Sequence, residues 1–182
     1  MFSFVAQRLG QILLLRGGPQ DLPTSRGLLQ LAIAAFITVS VLRLQVVADL
    51  PTALGQAVLS LVLLTIYVRA LLNWRQTPER FTQTMTAMLL CGVVLGALLL
   101  MPLRGLAPVL LAIAEDPEIS PENLQVPALA VYAWLGLSLW SLLVAGHIYR
   151  HALGLSLGLS ICVALLYEFL LIAVVSIAGQ VF

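Results

Sequence analysis

Residues 155–181 read LSLGLSICVALLYEFLLIAVVSIAGQV, and the only charged side chain among them is Glu168. A helix needs about 20 mostly apolar residues to cross the hydrocarbon of a bilayer, so this stretch is long enough to span one. Toward the N-terminus, residues 127–147, 84–103, 52–72 and 28–47 meet the same condition. Composition agrees, with 61% hydrophobic residues and 9% charged, where a soluble domain carries roughly 25% charged residues. The connections are too short to fold separately, and no internal repeat is visible. The expected fold class is all-α: a polytopic integral membrane helical bundle of five transmembrane helices, one domain over residues 1–182.

A net charge of +1 predicts no nucleic-acid partner. All nine basic residues are arginine, which hints at a GC-rich bacterial coding genome. Arg8, Arg16, Arg26, Arg69, Arg75, Arg80 and Arg150 fall on one side of the five spans. Arg43 and Arg104 fall on the other, together with Asp49, Glu115, Asp116, Glu118 and Glu122. Short loops rich in arginine stay cytoplasmic during insertion, which predicts a cytoplasmic N-terminus and a multi-pass protein of the bacterial inner membrane. An odd number of spans then puts Phe182 on the periplasmic or external side.

Residues 1–16 lack the basic start and cleavage site of a signal peptide and are expected to be retained. Phe2, Val5, Ala6, Leu9, Ile12 and Leu13 share one side of a helical wheel, and Ser3, Gln7 and Gln11 another. That pattern predicts an amphipathic helix lying in the cytoplasmic interface, broken by Gly17, Gly18 and Pro19. Between spans two and three, Trp74 and Arg75 at one edge and Arg80 and Phe81 at the other are expected interfacial anchors. Thr77 is expected to cap a helix beginning at Pro78 and Glu79. Pro102 is expected to close span three, with residues 106–114 forming a half-inserted or interfacial helix around Pro108. Glu115, Asp116, Pro117, Glu118, Pro121 and Glu122 then read as a solvated acidic loop.

Glu168 is the principal candidate functional residue, about 20 Å into its span and therefore near the bilayer centre. A carboxylate there is expensive and is expected to face protein. Arg43 is its best partner by depth. Together they form an intramembrane polar pair candidate: a proton or ion relay, or the lining of a cavity. The alternative is a buried structural pair, or a protonated acid bonded to Tyr67, Ser138 or a carbonyl. Gly92 with Gly96, and Gly154 with Gly158, have the small-residue spacing of helix-packing faces and make self-association plausible.

Residues 154–158 also fit G-x-S-x-G, with His147 and His151 nearby, but a nucleophile elbow needs a strand, turn and helix. No catalytic residue is assigned, and a non-enzymatic protein is expected. His147 and His151 could supply two metal ligands, yet no third ligand lies near in sequence. They read as interfacial histidines, and neither metal nor cofactor is expected. Cys91 and Cys162 behave as small apolar residues inside spans.

The run Arg80-Phe81-Thr82-Gln83-Thr84 entering a glycine-containing helix, residues 140–147, and Tyr149-Arg150-His151-Ala152-Leu153-Gly154-Leu155-Ser156 leading into the last span resemble the Yip1-type membrane domain of bacteria and eukaryotes. The resemblance covers residues 28–182. It implies a five-helix bundle with cytoplasmic N-terminus and external or lumenal C-terminus. Eukaryotic members are linked to Rab-type GTPases through long hydrophilic N-terminal regions, and the short amphipathic start here does not carry that partnership over. For bacterial members the resemblance implies no activity. The expected role is a membrane scaffold or accessory subunit, with lipids and another membrane protein or a second copy as partners. The alternative is a small transporter or proton-coupled component using Glu168 with Arg43.

Overall fold

The structure, a computed structural model, describes residues 2–116, 118, 119 and 124–181. Phe182, and Pro117, Pro121 and Glu122 of the acidic loop, lie outside the described residues. Among the described residues six α-helices follow in chain order: α1 (Phe2–Leu13), α2 (Arg26–Leu44), α3 (Leu50–Trp74), α4 (Phe81–Glu115), α5 (Ala128–Leu153) and α6 (Leu157–Val181). The last five are each long and apolar enough to cross a membrane, and the chain is a multi-pass membrane protein with a helical-bundle fold.

Local chemistry sets several boundaries. The Ser25 hydroxyl accepts the Leu28 N–H at 3.3 Å to start α2, and Asp49 accepts the Thr52 N–H at 3.3 Å to start α3. Helix α5 stops at Gly154, which takes φ +64°, the left-handed geometry that glycine adopts without a Cβ penalty. Thr77 departs from expectation. It precedes a 3₁₀ turn, Pro78–Arg80, without a side-chain capping bond, and its buried hydroxyl has no partner among the described residues.

The larger correction concerns Pro102 and Pro108, which lie inside α4 rather than ending it. Each proline removes one backbone hydrogen bond, but helices in apolar surroundings keep their geometry because an unwound backbone there would lose many more. Pro102 is also buried against neighbouring helices. The expected separate helix over residues 106–114 is therefore the last part of α4, whose 35 residues extend about 52 Å. That exceeds a hydrocarbon core of roughly 30 Å, so α4 must tilt or project beyond it.

Helix α4 packs against α2 on one side and α5 on the other, α5 carries α6, and α3 closes the circuit between α2 and α6. The order around this ring is α2, α4, α5, α6, α3. Lipid is as apolar as leucine, so association rests on close packing and interhelical hydrogen bonds. Glycines provide the closest approaches. A Cβ at Gly92 would come within 3.2 Å of Phe36, and one at Gly96 within 3.1 Å of Val39, where α4 meets α2.

Packing is uneven along the bundle. The buried residues of α5 run from Val144 to Leu153, and those of α6 are Ser160, Ala164 and Tyr167. Both groups lie toward the end where the arginines gather, and beyond them the helices leave space between one another.

Helix α1 is shorter than residues 1–16 and docks on α4 and α5, burying Val5 and Ile12, while Ala6 and Phe4 stay exposed. It ends where Leu15 takes φ 59° and the Gln11 carbonyl accepts from both Arg16 and Gly17. Side chains of the bundle then hold the segment down. Trp140 Nε1 donates to the Leu13 carbonyl at 3.2 Å, Gln83 Nε2 to that of Leu22 at 2.9 Å, and His147 Nε2 to that of Gly17 at 2.8 Å. His147 is thus buried. A carbonyl accepts only, so the Nε2 nitrogen carries the proton. Replacing His147 with alanine leaves the Gly17 carbonyl unpaired, a loss of about 1–3 kcal/mol. Limited proteolysis is expected to cut the variant before α2 faster than the native chain, and equal rates would remove His147 from this role.

Candidate functional site

The interior of the helix ring is a cavity of about 800 Å³ lined by residues of α2, α3, α4, α5 and α6. Three tyrosines gather toward its arginine-rich end. The Tyr67 and Tyr149 rings meet edge to face with centroids 6.2 Å apart, and Tyr67 and Tyr167 lie 5.5 Å apart. Tyr67 Oη donates to the Val163 carbonyl at 2.7 Å, and Tyr167 Oη to that of Ser60 at 3.2 Å, so two crossed bonds tie α3 to α6. Tyr149 is 1% exposed, lines the cavity, and its hydroxyl has no hydrogen-bond partner among the described residues.

Arg43 and Glu168 both line this cavity. Their expected direct pairing does not occur: among the described residues no carboxylate lies within 4.0 Å of the Arg43 guanidinium. The fold explains why. Helix α3 stands between α2 and α6. Arg43 lies about 26 Å along α2 from Arg26, and Glu168 about 17 Å along α6 from Leu157. Tyr67 gives its hydroxyl proton to the Val163 carbonyl rather than to the carboxylate. Glu168 is accessible and Arg43 half-buried. The other polar groups facing the cavity include Ser40, Gln56, Ser60 and Ser138, and the walls are otherwise mostly aliphatic and aromatic.

The remaining sequence candidates divide. Trp74 is 70% exposed with the Arg75 guanidinium 5.9 Å from its ring centre, as suits a headgroup anchor. Arg75 and Arg80 also turn inward. Arg75 Nε donates to the Leu153 carbonyl at 2.9 Å, and Arg80 Nη1 donates to the carbonyls of His151 and Ala152, each at 3.2 Å. Two cations therefore satisfy the orphan carbonyls at the α5 C-terminus and oppose its negative dipole end. His151 stacks edge to face on His147 at 4.6 Å. Among the described residues no group of three or more His, Cys, Asp or Glu side chains is placed to hold a metal.

Gly154 and Gly158 do not form a packing face. Gly154 is the end of α5, and a Cβ at Gly158 would meet nothing within 4 Å. The close approach is made instead by Gly146, where a Cβ would lie 2.8 Å from Ile161 Cγ1 and 3.2 Å from its Cα. Ser156 accepts the Leu159 N–H at 3.4 Å, the geometry of a helix cap rather than a nucleophile. A second cavity of about 300 Å³ lies among Gln20, Arg80, Gln83, Thr84 and His151. Arg80 and Gln83 there donate to carbonyls of α5 and of the N-terminal segment, which makes it a structural junction.

Sequence reasoning missed the three-tyrosine cluster, Gly146, and the serines of α2 and α3. Tyr167 beside Glu168 was the visible signal of a polar interior. Compared with known proteins, the chain matches no family model, and no curated protein and no solved structure matches it.

Proposed function

We propose that the chain is a non-enzymatic membrane carrier or binding component that holds an amphiphile inside its helix ring, with Arg43 and Glu168 as the polar contacts. The observation that carries this reading is the placement of two opposite charges on one cavity without a direct ion pair between them. Charge inside a membrane is costly and is kept where it meets a partner or a pathway. The cavity is also within the roughly 300–1,000 Å³ of small-molecule sites.

Orientation belongs to the same proposal: the arginine-rich end is cytoplasmic and the host membrane is the bacterial inner membrane. The Yip1-type resemblance adds an expected topology and no activity. The scaffold reading retains one observation, the apolar outer face of α6, where Gly158 is open and Phe169 and Ile177 are 67% and 63% exposed. Its other support weakens because Gly92 and Gly96 are occupied within the chain by Phe36 and Val39.

Gentle extraction followed by mass spectrometry of bound molecules separates the readings. Native protein is expected to carry a near-stoichiometric amphiphile, and Glu168→Gln to lose it at least tenfold at unchanged membrane abundance. A stoichiometric protein partner without bound amphiphile would favour the scaffold. Loss of the variant from the membrane would make Glu168 structural.

A further inference from the structure

The charge pattern of the cavity narrows the ligand. Arg43 reaches it from α2 and Glu168 from α6, two helices that α3 holds apart. A purely anionic headgroup would satisfy Arg43 and stand against the Glu168 carboxylate; a purely cationic one would do the reverse. A neutral ligand would leave both charges without a direct partner in apolar surroundings, where an unpaired charge is expensive. Only a ligand carrying both signs gives each residue a partner.

The walls select further. Phe36, Leu95, Leu99, Leu135, Leu171 and Val175 line the same space and would stay uncovered by a small soluble zwitterion. Resting on the amphiphile-binding reading, we infer that the ligand is a zwitterionic phospholipid, its phosphate on Arg43, its ammonium on Glu168 and its acyl chains along these apolar walls. The guanidinium fork matches phosphate oxygens in pairs, and a primary ammonium supplies N–H donors to the carboxylate.

The test is native mass spectrometry of delipidated protein in detergent, titrated separately with phosphatidylethanolamine, phosphatidylglycerol and free phosphoethanolamine. One equivalent of phosphatidylethanolamine is expected to bind at least tenfold more tightly than phosphatidylglycerol. Arg43→Gln and Glu168→Gln should each weaken it at least tenfold, and Glu168→Gln should narrow the gap between the two lipids by removing the repulsion of the anionic one. Ile177→Gln, on the outer face of α6, controls for folding and should change nothing. Equal or tighter phosphatidylglycerol binding would overturn the zwitterion while leaving the amphiphile reading intact. Phosphoethanolamine binding as tightly as the lipid would overturn the lipid source. Failure of both lipids to bind would overturn the amphiphile reading itself.

Discussion

Gly146→Leu is expected to disrupt the bundle, while Gly158→Leu leaves its stability within experimental error. At Gly146 the α5 backbone lies against the α6 backbone, so even a Cβ meets Ile161 Cα at 3.2 Å and its amide nitrogen at 3.3 Å. A flexible side chain could rotate away, but main chain moves only if the helices separate. Overpacking of a filled interior costs roughly 1–3 kcal/mol, and more where backbone must shift. The neighbours at this level, Val144, His147, Ile148 and Tyr149, are among the most buried in the chain, so separation here would loosen both the tyrosine cluster and the N-terminal clamp. At Gly158 the same substitution projects into open space. Thermal unfolding of the two variants in detergent checks the contrast, and equal losses would contradict the α5–α6 contact described above.

Replacing both Arg43 and Glu168 with leucine is expected to preserve or raise stability while abolishing ligand binding. Exchanging charges in apolar surroundings for hydrophobic residues is often neutral or stabilising by about 1–4 kcal/mol, because the cost of desolvating them disappears. A structural ion pair gives another signature: removing one partner alone would cost roughly 3–5 kcal/mol by stranding the other. The sign of the single-variant effect therefore separates the two roles. Since the two charges make no direct pair among the described residues, each single replacement should likewise be neutral or stabilising in thermal unfolding and yet lose the bound amphiphile. A large destabilisation rescued in the double variant would mean that the residues hold each other.

The five spans were legible because length and apolarity decide membrane crossing, and neither depends on which neighbour a helix meets. Their arrangement was not, because nearly every face of α3, α5 and α6 is apolar and periodicity carries no address. The glycine misreading shows this physically. Spacing of i to i+4 creates a groove only when both residues lie in one helix, and here Gly154 ends α5 while Gly158 lies in α6. Pro102 was misread because a proline ends a helix more readily where water can take up the freed carbonyl than in an apolar bundle. Glu168 stood out as the lone charge in its span, and its partner by depth, Arg43, lines the same cavity but keeps its distance. Arg75 and Arg80 were readable as headgroup anchors, whereas their bonds to the last carbonyls of α5 required knowing that α5 ends beside them.

The central claim, that an accessible cavity lies inside the helix ring, is tested most directly by cysteine substitution along α6. With Cys91 and Cys162 replaced by alanine and the protein in phosphatidylglycerol vesicles, single cysteines are reacted with a charged methanethiosulfonate reagent. Glu168→Cys, Leu171→Cys and Val175→Cys, which line the cavity, are expected to react, following the i, i+3, i+7 spacing of one helical face. Phe169→Cys, Leu170→Cys and Ile177→Cys, on the exposed face of α6 outside the cavity, are expected to stay inert in hydrocarbon. Uniform inertness, or reaction without helical periodicity, would contradict the cavity and with it the placement of Arg43 and Glu168 as ligand contacts.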